Sequence, residues 1–385
     1  MSHHNQEHIL WQPPQHHADV PHKSNHVAWI ELFFDLIHVV CIFLLGSYLG
    51  HHHGLDGFLV FVGLFLMIWI AWGDTVFYTS LYVSNDVVHR CLMALQICTV
   101  MLGAAAIPQI TGSGAVYFAV AYGLNRAILA YMYWRVQRNS PVGERCLSGE
   151  MARNFSLVSV AFLLSALLPA PWIYIAWGVA LLLLQVGYVS SRVGIMRFER
   201  FVPRIEHLSE RFALLMLIVL GEGFFKMVVT LADKGIDHVS ADVLVNYMVG
   251  GFALFVLAWI YFDFVGNGQF KVEKRYVYRW WYAHVVLMLS AVMIGVAFTG
   301  EVKVGFWQPY PLEYAWIGCV GLALYLFCCW ILQTCIEKRY VHDFYGWRLR
   351  AFGILMALIF WVAVYYQVTA VVGHLLFMIG FLSQV

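Results

Sequence analysis

Long apolar runs recur from one end of this chain to the other, and they constrain the fold more than any other feature. Reading between polar breaks predicts helices near 28–50, 57–83, 87–107, 114–135, 152–169, 171–189, 208–232, 241–265, 279–300, 312–336 and 348–368. A helix rises about 1.5 Å per residue, so about 20 apolar residues cross the ~30 Å of bilayer hydrocarbon. A last run, near 370–385, is short for a span and is open to three readings: a twelfth helix, a re-entrant piece or an interfacial tail. Membrane strands would need a closed barrel with alternating apolar and polar residues, a pattern absent from the sequence. Composition points the same way: 62% of the residues are hydrophobic and 12% charged, against roughly 45–50% and about 25% in soluble domains. Net charge is +1, and the basic residues are scattered through short breaks, which gives no stripe for nucleic acid. The expected fold class is all-α, a polytopic transmembrane helix bundle with 11–12 spans.

Lysine and arginine positions orient the spans, because cytoplasmic loops carry the excess of both. Arg90; Arg135, Arg138, Arg145 and Arg153; Arg192 to Arg211; Lys271 to Arg279; and Lys338 to Arg350 fall in alternate breaks. Together with Lys23 they place 19 of 23 positive residues on one side, leaving only Lys234 and Lys303 on the other and Arg126 and Lys226 within spans. The N-terminus is therefore expected in the cytoplasm, and the chain in the cytoplasmic (inner) membrane of a bacterium, among membrane lipids. No apolar leader opens the chain: residues 1–26 form a polar, His-rich tail with seven histidines. Neither that tail nor His51-His52-His53 has the spacing of a structural zinc site, so no metal and no cofactor is expected. Seven of the eight cysteines lie in apolar segments, with Cys146 in a loop and no CxxC, which argues against a disulfide framework.

Two halves share a pattern. Glu31, Phe33, Leu36 and Val40 in the first helix match Glu210, Phe212, Leu215 and Val219 in the seventh; Trp69-Ile70 and Asp74 match Trp259-Ile260 and Asp263, one residue out of register; His89 and Leu92-Met93 match His284 and Leu287-Met288. A six-plus-six parallel internal repeat is expected, with a tail over 1–26, a first half over 27–190, a basic connector over 191–206 and a second half over 207–385.

Charges inside spans cost at least ~2.5–3.5 kcal/mol each at the bilayer centre, so each needs a partner or a function. Glu222 lies about 18 Å along the seventh helix from Glu210, near the midplane, with Lys226 one turn on. Arg126, beside Asn125, sits at comparable depth in the fourth span. These four form a candidate substrate or proton site, and the alternative is a structural ion pair in which Arg126 or Lys226 neutralises Glu222. Asp35 or Asp74 could reach the same region and cancel the positive excess. A second candidate set lies toward the cytoplasmic side: Glu31, Asp35 and His38 on one face of the first helix, Asp74, His89, and their counterparts Glu210, Asp263 and His284. Such carboxylate–histidine sets can relay protons or fasten helices together. His38 has no counterpart, since Leu217 takes its place.

The runs Glu31-Leu32-Phe33-Phe34-Asp35-Leu36 and His207-Leu208-Ser209-Glu210-Arg211-Phe212 are distinctive, as are Leu220-Gly221-Glu222, Trp259 to Asp263 and Tyr282-Ala283-His284. On these the sequence resembles the bacterial low-temperature-requirement protein A family. His38 stands where such proteins usually carry an aromatic residue, and Gly223 where serine is common. The resemblance implies an integral membrane protein linked to growth in the cold, and brings no biochemical activity with it. Span count, repeat and midplane charges favour a secondary transporter or permease for a small solute, anionic or proton-coupled. The alternatives are a membrane sensor or scaffold supporting growth at low temperature, and a membrane-embedded enzyme acting on lipid. No GxSxG, HExxH or helical DxxxD motif occurs, so no catalytic residue and no enzyme activity are expected.

Overall fold

The computed structural model describes residues 10–20, 27–140, 142–189, 203–268, 271, 273–337 and 346–384. Twelve α-helices dominate them: α1 (Trp29–His51), α2 (Leu55–Leu81), α3 (Val87–Ala106), α4 (Gly114–Asn139), α5 (Val142–Ser165), α6 (Trp172–Val189), α7 (Ile205–Lys234), α8 (Ala241–Tyr261), α9 (Lys274–Phe298), α10 (Leu312–Gln333), α11 (Gly346–Tyr365) and α12 (Ala370–Leu382). Nine of the described helices, α1–α4 and α7–α11, are long and apolar enough to span a membrane, while α6 and α12 are shorter apolar helices. The last apolar run is thus helical. Most helix ends fall within a few residues of the sequence reading, because the polar breaks that end an apolar run also end the helix. The exception is α5, which begins ten residues before the expected 152, so that residue 146, expected in a loop, is helical.

Local chemistry sets several of these ends. Asp86 caps α3, its carboxylate accepting from the His89 amide at 2.9 Å. At the end of α7, Gly235 adopts φ 79°, a conformation that side chains disfavour, and the chain turns away. Helix α8 runs on into a π-helical turn, Phe262–Gly266. Near the N-terminus, β1 (Gln15–His16) pairs antiparallel with β2 (Tyr82–Val83).

The chain divides into two compact units, one made of residues 1–41 and 67–208 and the other of residues 42–66 and 209–385. Within the first, α4 and α5 pack most extensively. Their backbones come close at Gly123, whose carbonyl accepts from Ser159 Oγ at 2.8 Å, and where a Cβ would meet Leu163 Cγ at 2.8 Å. Within the second, α9 is the core element: 94% of its apolar window is buried, against 28% for α11. Tyr325 ties α10 to α8, donating to the Leu257 carbonyl at 2.8 Å. Helices α7 and α9 touch backbone to backbone at Gly223 and Gly295, where a Cβ on Gly295 would lie 3.1 Å from the Gly223 Cα. Large apolar side chains such as Leu182, Leu183 and Phe255 stand outward and exposed, as hydrocarbon-facing residues do.

The residues matched between the expected repeats have different settings, so the fold does not confirm the repeat. Asp74 is buried in an ion pair, whereas Asp263 is exposed and, among the described residues, accepts from Trp259, four residues back, at 2.5 Å. His89 lies in the first turn of α3, while His284 lies well inside α9.

Candidate functional site

The four residues of the first candidate site belong to two separate pairs. Arg126 on α4 is fully buried and finds its carboxylate in Asp74 of α2: Nη1 donates to Asp74 Oδ2 at 2.8 Å. Its Nη2 donates to the Ala71 carbonyl at 3.0 Å and to Asn125 Oδ1 at 2.6 Å, and its guanidinium lies 5.2 Å from the Tyr122 ring centroid. Tyr188 of α6 donates to the other Asp74 oxygen at 3.0 Å. Asn125 donates in turn to Thr99 Oγ1 at 2.9 Å. Three helices and an adjoining amide thus enclose one cation and one anion, and the low surrounding dielectric strengthens each bond. Asp74 therefore leaves the carboxylate–histidine set to which the sequence reading assigned it. Asn125 also lines a small cleft with His38 and Cys41, of ≈ 30 Å³, room for about one or two waters.

Glu222 has Lys226 as its cation, one helical turn along α7, with Nζ 3.1 Å from Oε1. Of the two cations offered by the sequence reading, Lys226 and not Arg126 neutralises Glu222, because the i, i+4 spacing brings the two side chains together without any tertiary movement. Arg126 and Lys226 then have one carboxylate each, and the positive excess inferred for the midplane is gone. Lys226 Nζ also donates to the Phe43 carbonyl at 2.9 Å and to Ser47 Oγ at 3.4 Å, and lies 5.0 Å from the Phe43 ring centroid. It passes close over Gly46, where a Cβ would collide with the ammonium. Glu222 Oε2 has no hydrogen-bond partner among the described residues, although the side chain is 2% exposed.

Lys226 lines a cavity of ≈ 450 Å³ in the second unit. Its walls come from the last turns of α1 (Phe43, Gly46, Ser47, Gly50, His51), of α7 (Val229, Thr230, Asp233, Lys234) and of α9 (Val296), with Thr299, Lys303 and Tyr314 beside them. Lys226 is eight residues before Lys234, so the cavity reaches about 12 Å along α7 from its end. Lys303 donates to Tyr314 Oη, and Lys234 to the Val302 carbonyl at 2.6 Å. His53, between α1 and α2, packs edge-on against Tyr314. Burial holds its imidazole below the ordinary histidine range, with Glu313 opposing and Lys303 reinforcing the shift.

The remaining carboxylate–histidine residues do not gather into one cluster. Glu31 caps α1, accepting from the Ala28 amide at 2.9 Å, and its Oε2 lies 3.1 Å from His207 Nε2. His207 Nδ1 lies 3.0 Å from Ser80 Oγ, which completes a buried carboxylate–imidazole–hydroxyl chain. Arg204 closes the same corner, donating to the Thr79 carbonyl at 2.8 Å. His207 was legible only as part of the His207–Phe212 run. Its partner Ser80 carries no signal of its own in the sequence. Asp35 accepts from Trp72 Nε1 at 2.6 Å. His38 bonds its own helix, its Nδ1 2.8 Å from the Phe34 carbonyl. His89 stacks near Tyr78, and His284 meets Tyr261 Oη at 3.1 Å and the Trp280 carbonyl at 2.9 Å. Glu210 is half-buried and Asp263 exposed. Apart from Glu210 and Asp263 these groups are buried, and Glu31, Asp35 and His284 fasten elements together through the bonds just given. Of the histidine tail, only His16 and His17 lie among the described residues.

Such long apolar helices, packed through buried ion pairs and with apolar side chains turned outward, define a polytopic α-helical membrane protein. The chain belongs to the bacterial low temperature requirement A protein (LtrA) family, whose family model matches residues 26–383. No curated protein matches it.

Proposed function

We propose that the protein is a permease for a small solute, seated in the cytoplasmic membrane of a bacterium with its N-terminus in the cytoplasm. One observation carries the reading: the cavity of ≈ 450 Å³ that descends along α7 to Lys226, the ion-pair partner of Glu222, deep within a span. Charges at such depth cost several kcal/mol, so an ammonium kept there facing a cavity, rather than sealed, favours a path for a solute. The Arg126–Asp74–Tyr188 set offers the contrast within the same chain, since it is walled in by side chains and suits a fastener. In this reading no residue is catalytic, no cofactor takes part, and the partners are the surrounding lipids and the solute.

Flux in proteoliposomes tests this. Wild-type protein is expected to carry a current or solute uptake on jumps of pH and of a panel of small ions, and folded Glu222→Gln is expected to lose it. Silence from both proteins across the panel would remove the permease reading and leave Lys226–Glu222 a structural pair.

A further inference from the structure

We infer that this cavity is a binding site for a small organic anion, a carboxylate or a phosphoryl group, either free or as a lipid headgroup. The inference deepens the permease reading and rests on it only for what the bound anion does next. Three ammonium groups, Lys226, Lys234 and Lys303, line the space, with Asp233 the one carboxylate among its described lining residues. Lys226 is matched by Glu222, but neither Lys234 nor Lys303 has a carboxylate within ion-pair distance among the described residues. These two lie near enough to repel one another. Each spends one of its donors on a neighbour, Val302 or Tyr314, and keeps others for a ligand.

Their place in the sequence makes the arrangement harder to read as an accident of surface charge. Lys234 and Lys303 are the only two positive residues in the breaks on the sparsely charged side, and both line the same cavity. Two like charges brought together with no carboxylate in ion-pair distance among the described residues repel, and an anion between them relieves the repulsion. Apolar wall residues, among them Phe43 and Val296, and the size of the space fit an anion with a carbon skeleton better than a bare halide. At the inner end the same anion would compete with the Glu222 carboxylate for the Lys226 ammonium.

The test is calorimetric titration of the full-length protein in phosphatidylcholine nanodiscs at low salt, with benzoate and glycerol 3-phosphate as probes and choline as the cation control. Saturable binding of an anionic probe, weakening as ionic strength rises and at least about tenfold weaker in a thermally stable K234Q/K303Q variant, is the expected result. Lys303→Arg, which keeps the charge, should retain most of the affinity. No binding of either probe, equal binding by the double variant, or equal binding of choline would overturn the inference. Repeating the titration in nanodiscs containing phosphatidylglycerol separates the two sources. Suppressed probe binding there, in wild type but not through the variant's residual site, assigns the cavity to a lipid headgroup, and unchanged binding assigns it to a free solute. Anion binding without flux in proteoliposomes would sink the permease reading and keep the site; flux without anion binding would do the reverse.

Discussion

Arg126 is the residue on which the first unit's polar interior turns. Its guanidinium meets a carboxylate, a carbonyl and an amide oxygen, with aromatic rings beside it, so the cost of removing a full charge from water is offset from several directions. Taking away one member leaves the other charged and buried. Asp74→Ala or Arg126→Ala is therefore expected to destabilise the protein by roughly 3–5 kcal/mol, seen as a large fall in the unfolding midpoint in detergent. The double variant Asp74→Leu/Arg126→Met removes both charges and should unfold at a higher temperature than either single variant. A double variant worse than both singles would show that the pair holds more than its own charges. At this scale the sequence showed which charges were out of place but not how they paired. Lys226 and Glu222 are four residues apart and could be matched on one helix, whereas Arg126 and Asp74 are 52 apart and meet only after α2 and α4 have packed.

The start of α3 shows how an element is fixed from both ends of its surroundings. Asp86 accepts from the amides of Gln12 and His89, at 3.0 Å and 2.9 Å, and from Arg135 Nη2 at 2.7 Å. One carboxylate thus caps a helix, anchors the N-terminal segment near β1 and answers an arginine on α4. Asp86→Ala should cost about 0.5–2 kcal/mol from the lost cap alone, with more from the stranded Arg135. Burial works to raise the Asp86 pKa, but the bonds from Gln12, His89 and Arg135 outweigh it and hold the carboxyl below its ordinary value. Its stabilising contribution is therefore complete above the unfolded-state pKa of about 3.9 and is lost as pH falls through the lower folded value. Thermal melts of wild type and Asp86→Ala should differ by a constant amount from neutral pH to about 4, then converge below it; a gap that closed above pH 5 would contradict the assignment. Helix ends were legible wherever a polar break coincided with a cap. They were not legible at α5, whose first ten residues are too polar to read as a span yet continue the same helix.

For the molecule as a whole, the charge bias of the loops should set the orientation in the membrane. A cysteine at Lys303 is expected to react with a membrane-impermeant maleimide from outside intact cells, above the wild-type background, while one at Arg348 reacts only after permeabilisation; the opposite pattern would invert the proposed topology. By itself the sequence determined the class of protein, the bounds of most helices and the family. These follow from apolar run length and local breaks, which act over a few turns of chain. Tertiary structure alone decided that Asp74 serves Arg126, that His207 joins Glu31 to Ser80, and that Lys234 and Lys303 line one cavity with Lys226. A bilayer supplies each helix with the same apolar surroundings whatever its neighbours. Helix–helix pairing is written in close approaches and a few polar bonds between residues tens to hundreds of positions apart, and sequence separation carries no record of those.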